Sequence, residues 1–128
     1  MAENKEKEFK ISQDDSTGFI MLAEDVMVAI IGLAVTEVDG VAGLPGGISR
    51  DNVAKLGKRS LAKVISVTYD EEKNVRVAVA MEVKFGVNIM DVSRNVQERV
   101  KQALQTMLGI TASAVSVRVA GIVLEEEA

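Results

Sequence analysis

The chain contains no cysteine and no histidine. Without cysteine there is no disulfide, no thiolate nucleophile and no Cys-ligated zinc. Without histidine the commonest general base and the commonest nitrogen ligand for metals are missing, and a serine triad that depends on it is excluded. Carboxylate or lysine chemistry stays open, as does Mg²⁺ or Ca²⁺ held by oxygen ligands. Aromatics are scarce: Phe9, Phe19, Phe85 and Tyr69. Pro45 is the single proline. No run approaches the ~18 apolar residues of a membrane span. The first residues are charged rather than signal-like. These absences predict a cytoplasmic protein that has no transmembrane segment of its own and needs no cofactor.

What is present is aliphatic. The 128 residues suit one domain, and 48% of them are hydrophobic, with valine the commonest. A core of Val, Ile, Leu and Ala favours strands together with helices that pack through small residues. The net charge of −4 argues against bulk attraction to nucleic acid or anionic lipid, although a local basic patch can override it.

Along the chain, residues 1–16 read as a mobile polar tail with a short ordered end near Phe9 and Ile11. Residues 17–124 read as one α+β domain, and 125–128 as an acidic tail. A first strand is expected over 18–22. Over residues 23–38, apolar side chains at Val26, Met27, Ile30, Ile31, Leu33, Ala34 and Val38 have helical spacing, with Glu24 and Asp25 in the first turn and a stop at Gly40. Gly32 would let another backbone approach this helix. Residues 50–62 predict a short helix with Val53, Leu56 and Leu61 inward.

Residues 63–69 and 75–85 flank the polar run 70–74 as a β-hairpin. In its second strand Val75, Val77, Val79, Met81, Val83 and Phe85 alternate with Arg76, Ala78, Ala80, Glu82 and Lys84. One face therefore meets the core while the other is partly solvated. Residues 88–108 predict a helix capped by Asn88, striped by Ile89, Val92, Val96, Val100, Leu104 and Met107, and stopped at Gly109. Residues 114–124 alternate again, with Gly121 marking a bulge or the strand's end. The strand–helix–strand unit from 75 to 124 predicts parallel strands with a right-handed crossover. The whole reads as a two-layer single domain: a small mixed β-sheet with two main helices on one face.

Few constellations carry chemistry. Residues 43–49 are glycine-rich, and their N–H groups could approach an oxyanion. The phosphate-loop and dinucleotide spacings are nevertheless absent, so a connecting loop is the better reading. From Arg50 to Lys63 the segment holds Arg50, Lys55, Lys58, Arg59 and Lys63 against Asp51. This excess of positive charge is the candidate interaction surface, for an anionic ligand, a nucleic acid or an acidic partner; a solvated helix face is its ordinary explanation. No aromatic platform accompanies it, which weakens the case for single-stranded nucleic acid. Methionines 21, 27, 81, 90 and 107 read as gap-filling core, and the acid pairs as a helix start, a hairpin loop and a tail.

The chain also resembles the alkaline-shock and general-stress protein family of Gram-positive bacteria. The resemblance rests on Gly18-Phe19-Ile20-Met21-Leu22, on Glu37-Val38-Asp39-Gly40-Val41-Ala42-Gly43, and on Phe85-Gly86-Val87-Asn88-Ile89. It continues in Val96-Gln97, Met107-Leu108-Gly109 and Val117-Arg118-Val119-Ala120-Gly121-Ile122. Ala23 stands where the family places a serine helix cap. The wording Gly46-Gly47-Ile48 and Leu56-Gly57-Lys58 is closer to the branch encoded beside fatty-acid synthesis genes. The resemblance implies a non-enzymatic protein of envelope stress or membrane-lipid homeostasis, with no catalytic residues. It further implies a homo-oligomer that reaches the membrane through a membrane-anchored partner, or serves a lipid-synthesis enzyme. Potentially open strand edges in an aliphatic sheet give that expectation a physical route.

Overall fold

A computed structural model describes residues 8–14, 18–55, 58–72 and 74–124; of residues 8–14, 18–21, 54, 58 and 59 it gives the backbone course alone. Strand β1 (Glu8–Asp14) pairs antiparallel with β2 (Gly18–Ala23). Helix α1 (Glu24–Thr36) follows directly, then β3 (Val41–Gly43), a 3₁₀ turn (Val53–Lys55) and the short α2 (Lys58–Leu61). Strands β4 (Ile65–Tyr69) and β5 (Val75–Lys84) form the hairpin. Helix α3 (Ile89–Leu108) then crosses to β6 (Ala112–Val123), which runs parallel to β5.

β5 is the centre of the main sheet. Val79 pairs with Ile65 on one side and Val117 on the other, and Val83 pairs with Val41 and Ile122. β4 and β3 therefore share one edge of β5, β4 along its first half and β3 at its end, while β6 occupies the whole of the other edge. The sheet is three positions wide. Its mixed, parallel-plus-antiparallel character and the two helices over one face match the architecture read from the sequence.

The core follows from alternation. Val75, Val77, Val79, Met81 and Val83 of β5 are all buried, with Ile65 and Val67 of β4 beside them. α1 covers this face broadly, burying Met27, Val28, Ile31, Ala34 and Val35. α3 contributes a narrower stripe, Val92, Val96, Val100 and Leu104, and leaves its opposite side in water. Asn88 caps α3: its Oδ1 accepts from Asp91 N–H at 3.0 Å. Gly109, at φ 67°, ends the helix in the left-handed region, as expected. Ala23 offers α1 no side-chain cap.

The structure departs from the sequence reading at several points. α1 ends at Thr36, short of Gly40. Thr36 Oγ1 donates to the Gly32 carbonyl at 2.9 Å, and Val38 N–H turns in to Val35 O at 3.2 Å, tightening the last turn. The chain then re-enters the core at Val38 and Val41 and forms β3, which the sequence does not signal because three residues are too few to show a period. Gly40 still takes a positive φ, 94°, but as the tight corner into β3. At Gly32 the neighbour is a side chain rather than a backbone: an added methyl would lie 2.7 Å from Val53 Cγ2.

Residues 50–62 form two short pieces rather than one helix; Val53 and Leu61 are buried, and Leu56 lies outside the described residues. Glu8–Asp14, read as tail with a short ordered end, is a full strand. Phe85 is 69% exposed because β5 ends at Lys84 and the chain turns at Gly86. Met107 is 63% exposed and Met90 is exposed as well. A stripe that advances four residues at a time drifts round the helix, so after Leu104 it reaches the half-buried Leu108 and leaves Met107 outside. Met27 and Met81 are buried, and the Met21 side chain lies outside the described residues.

Candidate interaction surfaces

The basic segment is spread along an irregular stretch. Arg50 follows the loop that leaves β3, Lys55 closes the 3₁₀ turn, and Lys63 lies in the turn before β4; all three are exposed. Lys58 and Arg59 are in α2, and their side chains lie outside the described residues. The glycine-rich loop before this segment closes on itself. Leu44 N–H donates to Ile48 O at 2.7 Å and Ile48 N–H to Leu44 O at 3.3 Å. Ser49 N–H donates to Asn52 Oδ1 at 2.9 Å, and Asn52 Nδ2 to Gly47 O at 3.3 Å. The amides of Leu44, Ile48 and Ser49 are thus already used within the loop.

On the side of the sheet away from the helices the described residues are mostly exposed. Its central strand presents Arg76, Ala78, Ala80, Glu82 and Lys84; β4 adds Ser66 and Thr68, and β6 adds Ser116 and Arg118. Register places Ser66, Ala78 and Ser116 in one row across the three strands, with Ala80 and Arg118 in the next row along the same face. A trough of about 320 Å³ lies over these rows, lined by Lys63, Ser66, Ala78, Ala80, Ser116 and Arg118 among others, with no acidic residue in its wall. Ala80 is 4% exposed although it belongs to the open face, so it forms the trough's floor. Lys63 is thus joined to Arg118, a residue the sequence reading had not selected. Alternation alone assigns Arg118 to the polar face of its strand; that it lines one trough with Lys63 comes only from the folded sheet.

The hairpin loop is the acidic counterpart. Asp70 Oδ1 accepts from Glu72 N–H and Asn74 N–H, both at 2.9 Å, and Oδ2 accepts from Ser113 Oγ at 3.0 Å. The Asn74 amide hydrogen bond, aided by Ser113, Glu72 and the charge of Arg76, holds the Asp70 carboxyl below its ordinary pKa of 3.8 against a smaller opposing desolvation. This carboxylate organises the turn and ties it to the start of β6.

The outer edge of β6 is the third surface. Among the described residues no strand pairs with it. Near its start the Val115 carbonyl is taken by Gln97 Nε2 of α3 at 2.9 Å, which covers that part of the edge. Beyond this point the edge is open. It ends in exposed Ile122, Val123 and Leu124; on the opposite side of the strand, toward β5, Phe85 N–H donates to Val123 O at 2.9 Å, which sets the exposed Phe85 beside this end. Of the two expectations at Gly121, a bulge or the strand's end, the bulge is what forms: Met81 pairs with Val119 but Glu82 with Gly121, so one residue of β6 is extra.

These features define a small two-layer α+β protein whose distinctive surfaces, among the described residues, are an exposed sheet face and a long unpaired strand edge. No group of three or more His, Cys, Asp or Glu suited to a metal occurs among the described residues, and none of their helices is long and apolar enough to cross a membrane.

The chain belongs to the alkaline-shock protein 23 family, described as having a cell envelope-related function; the family model matches residues 12–124. That description is of an envelope role rather than of an enzymatic activity. An uncharacterised protein of Streptococcus pyogenes serotype M6, Spy1614, is 37% identical over 115 residues, covering 88% of this chain and 93% of its own. The uncharacterised YqhY of Bacillus subtilis is 30% identical over 116 residues, covering 91% and 85%. A second uncharacterised S. pyogenes protein, Spy1535, is 33% identical over 109 residues, covering 85% and 82%. No solved structure matches the chain.

Proposed function

We propose that this protein is a non-enzymatic scaffold that self-associates through the free edge of β6 and acts in envelope stress or membrane-lipid homeostasis. The observation that carries the reading is that edge: β6 has twelve residues, no outer neighbour among the described residues, and an apolar end formed with Phe85. An unpaired edge presents a row of N–H and C=O groups that a second strand can satisfy. The exposed apolar cluster adds area whose burial is favourable. The envelope-related description of the family supports the cellular setting. In this reading the protein works in the cytoplasm and reaches the membrane through a membrane-anchored partner or a lipid-synthesis enzyme.

Light scattering over a concentration series tests the self-association. The expected result is a mass that rises with concentration and falls back to the monomer in a Phe85→Ser, Leu124→Lys double variant. Both positions are exposed, so the fold should survive. A wild-type chain that stays monomeric at millimolar concentration, or a double variant that assembles unchanged, would overturn the reading. A second reading, an anion-binding or nucleic-acid-binding module using Arg50, Lys55, Lys58, Arg59 and Lys63, is favoured by the exposure of Arg50, Lys55 and Lys63.

A further inference from the structure

The trough on the exposed sheet face takes Ser116 and Arg118 from β6 but lies on the face of the sheet rather than along the outer edge of that strand, and its chemistry is specific. Two cations reach it from separate parts of the chain, Lys63 from the turn before β4 and Arg118 from the middle of β6. Among the described residues neither forms an ion pair; the pairs present there are Arg94–Asp91 and Arg99–Glu37. Two hydroxyls, Ser66 and Ser116, sit in the row of Ala78, one on each flanking strand. Neighbouring strands lie about 4.8 Å apart, so these serines stand roughly 10 Å from each other across the alanine. Ala78 and Ala80 end at Cβ and give the trough its depth without offering a competing acceptor.

The lining itself carries only positive charge. On β5, Arg76 is the open-face residue next to the trough at one end and Glu82 at the other, with Lys84 beyond Glu82. The one acid of that strand's open face, Glu82, is half-buried further along it, packs near Gly121, and is not part of the trough's lining. A positive depression on a protein of net charge −4 is a local arrangement, not a reflection of overall composition.

We propose that this trough binds the phosphate group of a small phosphomonoester. Arg118 offers a planar fork of donors, Lys63 a point charge, and the serines donors from two sides. That set matches a dianion with acceptor oxygens on every side better than a planar carboxylate, which has two. A volume of about 320 Å³ lies at the small end of ligand sites. It has room for the phosphate and a short carbon skeleton rather than a nucleotide.

The test is a titration of the full chain followed by ¹H–¹⁵N spectra, with inorganic phosphate, glycerol phosphate and anionic phospholipid vesicles as separate probes. The expected result is saturable shifts confined to the amides of Ser66, Ala78, Ala80, Ser116 and Arg118, tighter for glycerol phosphate than for inorganic phosphate. Arg118→Gln and Lys63→Gln should each weaken binding about tenfold, as expected for loss of one charged hydrogen-bond donor. Lys84→Gln, which removes the same charge outside the trough, should change it little. Shifts that do not saturate, that are reproduced by chloride, or that respond equally to Lys84→Gln would overturn the proposal. So would binding to vesicles that free glycerol phosphate does not compete away. Repeating the titration with the Phe85→Ser, Leu124→Lys variant separates this outcome from any failure of self-association.

Discussion

Replacing Gly40 by alanine should be far more damaging than making the same change at Gly46, although both have φ of 94°. A positive φ costs an ordinary L-residue about 1–2 kcal/mol. Stiffening the unfolded chain gives back about 0.4–1 kcal/mol. Gly46 has no atom within 4 Å of an added Cβ, so these two effects alone apply and the expected loss is about 1 kcal/mol. At Gly40 the added Cβ would lie 2.7 Å from Val92 Cγ2. Val92 is buried in α3 and its β-branched side chain is stiff, so it cannot swing aside. Overpacking of this kind costs a further 1–3 kcal/mol or so, giving an expected total of about 2–4 kcal/mol for Gly40→Ala.

Urea unfolding of Gly40→Ala, Gly46→Ala, Val92→Ala and the Gly40→Ala, Val92→Ala pair measures each contribution. Val92→Ala alone should cost about 2 kcal/mol through lost burial and the cavity left behind. In its background the methyl at position 40 has room, and the cost of Gly40→Ala should fall to that of Gly46→Ala. Equal losses at Gly40 and Gly46 in the wild-type background would refute the reasoning. So would a Gly40→Ala cost that Val92→Ala leaves unchanged. Either result would mean that the corner after α1 does not press against α3.

Leu104→Ala should lower stability by about 2–5 kcal/mol whereas Met107→Ala should be nearly neutral; thermal unfolding of the two variants checks which side of α3 faces the core. Asp70 has a folded-state pKa below its ordinary 3.8, so its stabilisation is complete above that pH and is lost as pH falls through the lower folded value. Asp70→Ala should therefore lower the urea midpoint near neutrality, and the gap from wild type should narrow as the pH drops below about 4; a gap independent of pH would count against the carboxylate's role. Gln97→Ala should cost about 1 kcal/mol by freeing the Val115 carbonyl. It should also strengthen self-association, seen as a larger mass in light scattering, because it uncovers more of the β6 edge.

Much of this fold is legible in the sequence because its elements are long and periodic. The alternation from Val75 to Val83 and the four-residue spacing from Val92 to Leu104 each fix a face, and Asn88 and Gly109 mark the ends of α3. Failures occur where the period is too short or stops without a local sign. β3 has three residues, Phe85 continues an alternation that the strand itself abandons, and Met107 falls off a drifting stripe. The candidate surface was legible only in part. Lys63 stood out as one of a run of basic residues, but Arg118, Ser66 and Ser116 are unremarkable in their own segments.

The sequence by itself determined the residue chemistry, the main secondary elements and the aliphatic core, since these follow from composition and from periods of two and of three to four. It also ruled out thiol and imidazole catalysis outright. Tertiary structure decided what lies beside what. The folded sheet brings Lys63 and Arg118 to one trough, and strand register places β3 and β4 on one edge of β5 and β6 on the other, whose own far edge no described strand pairs. Register is a relation between distant segments, set by pairing along both edges of β5 with one face against the core, and no single segment carries it.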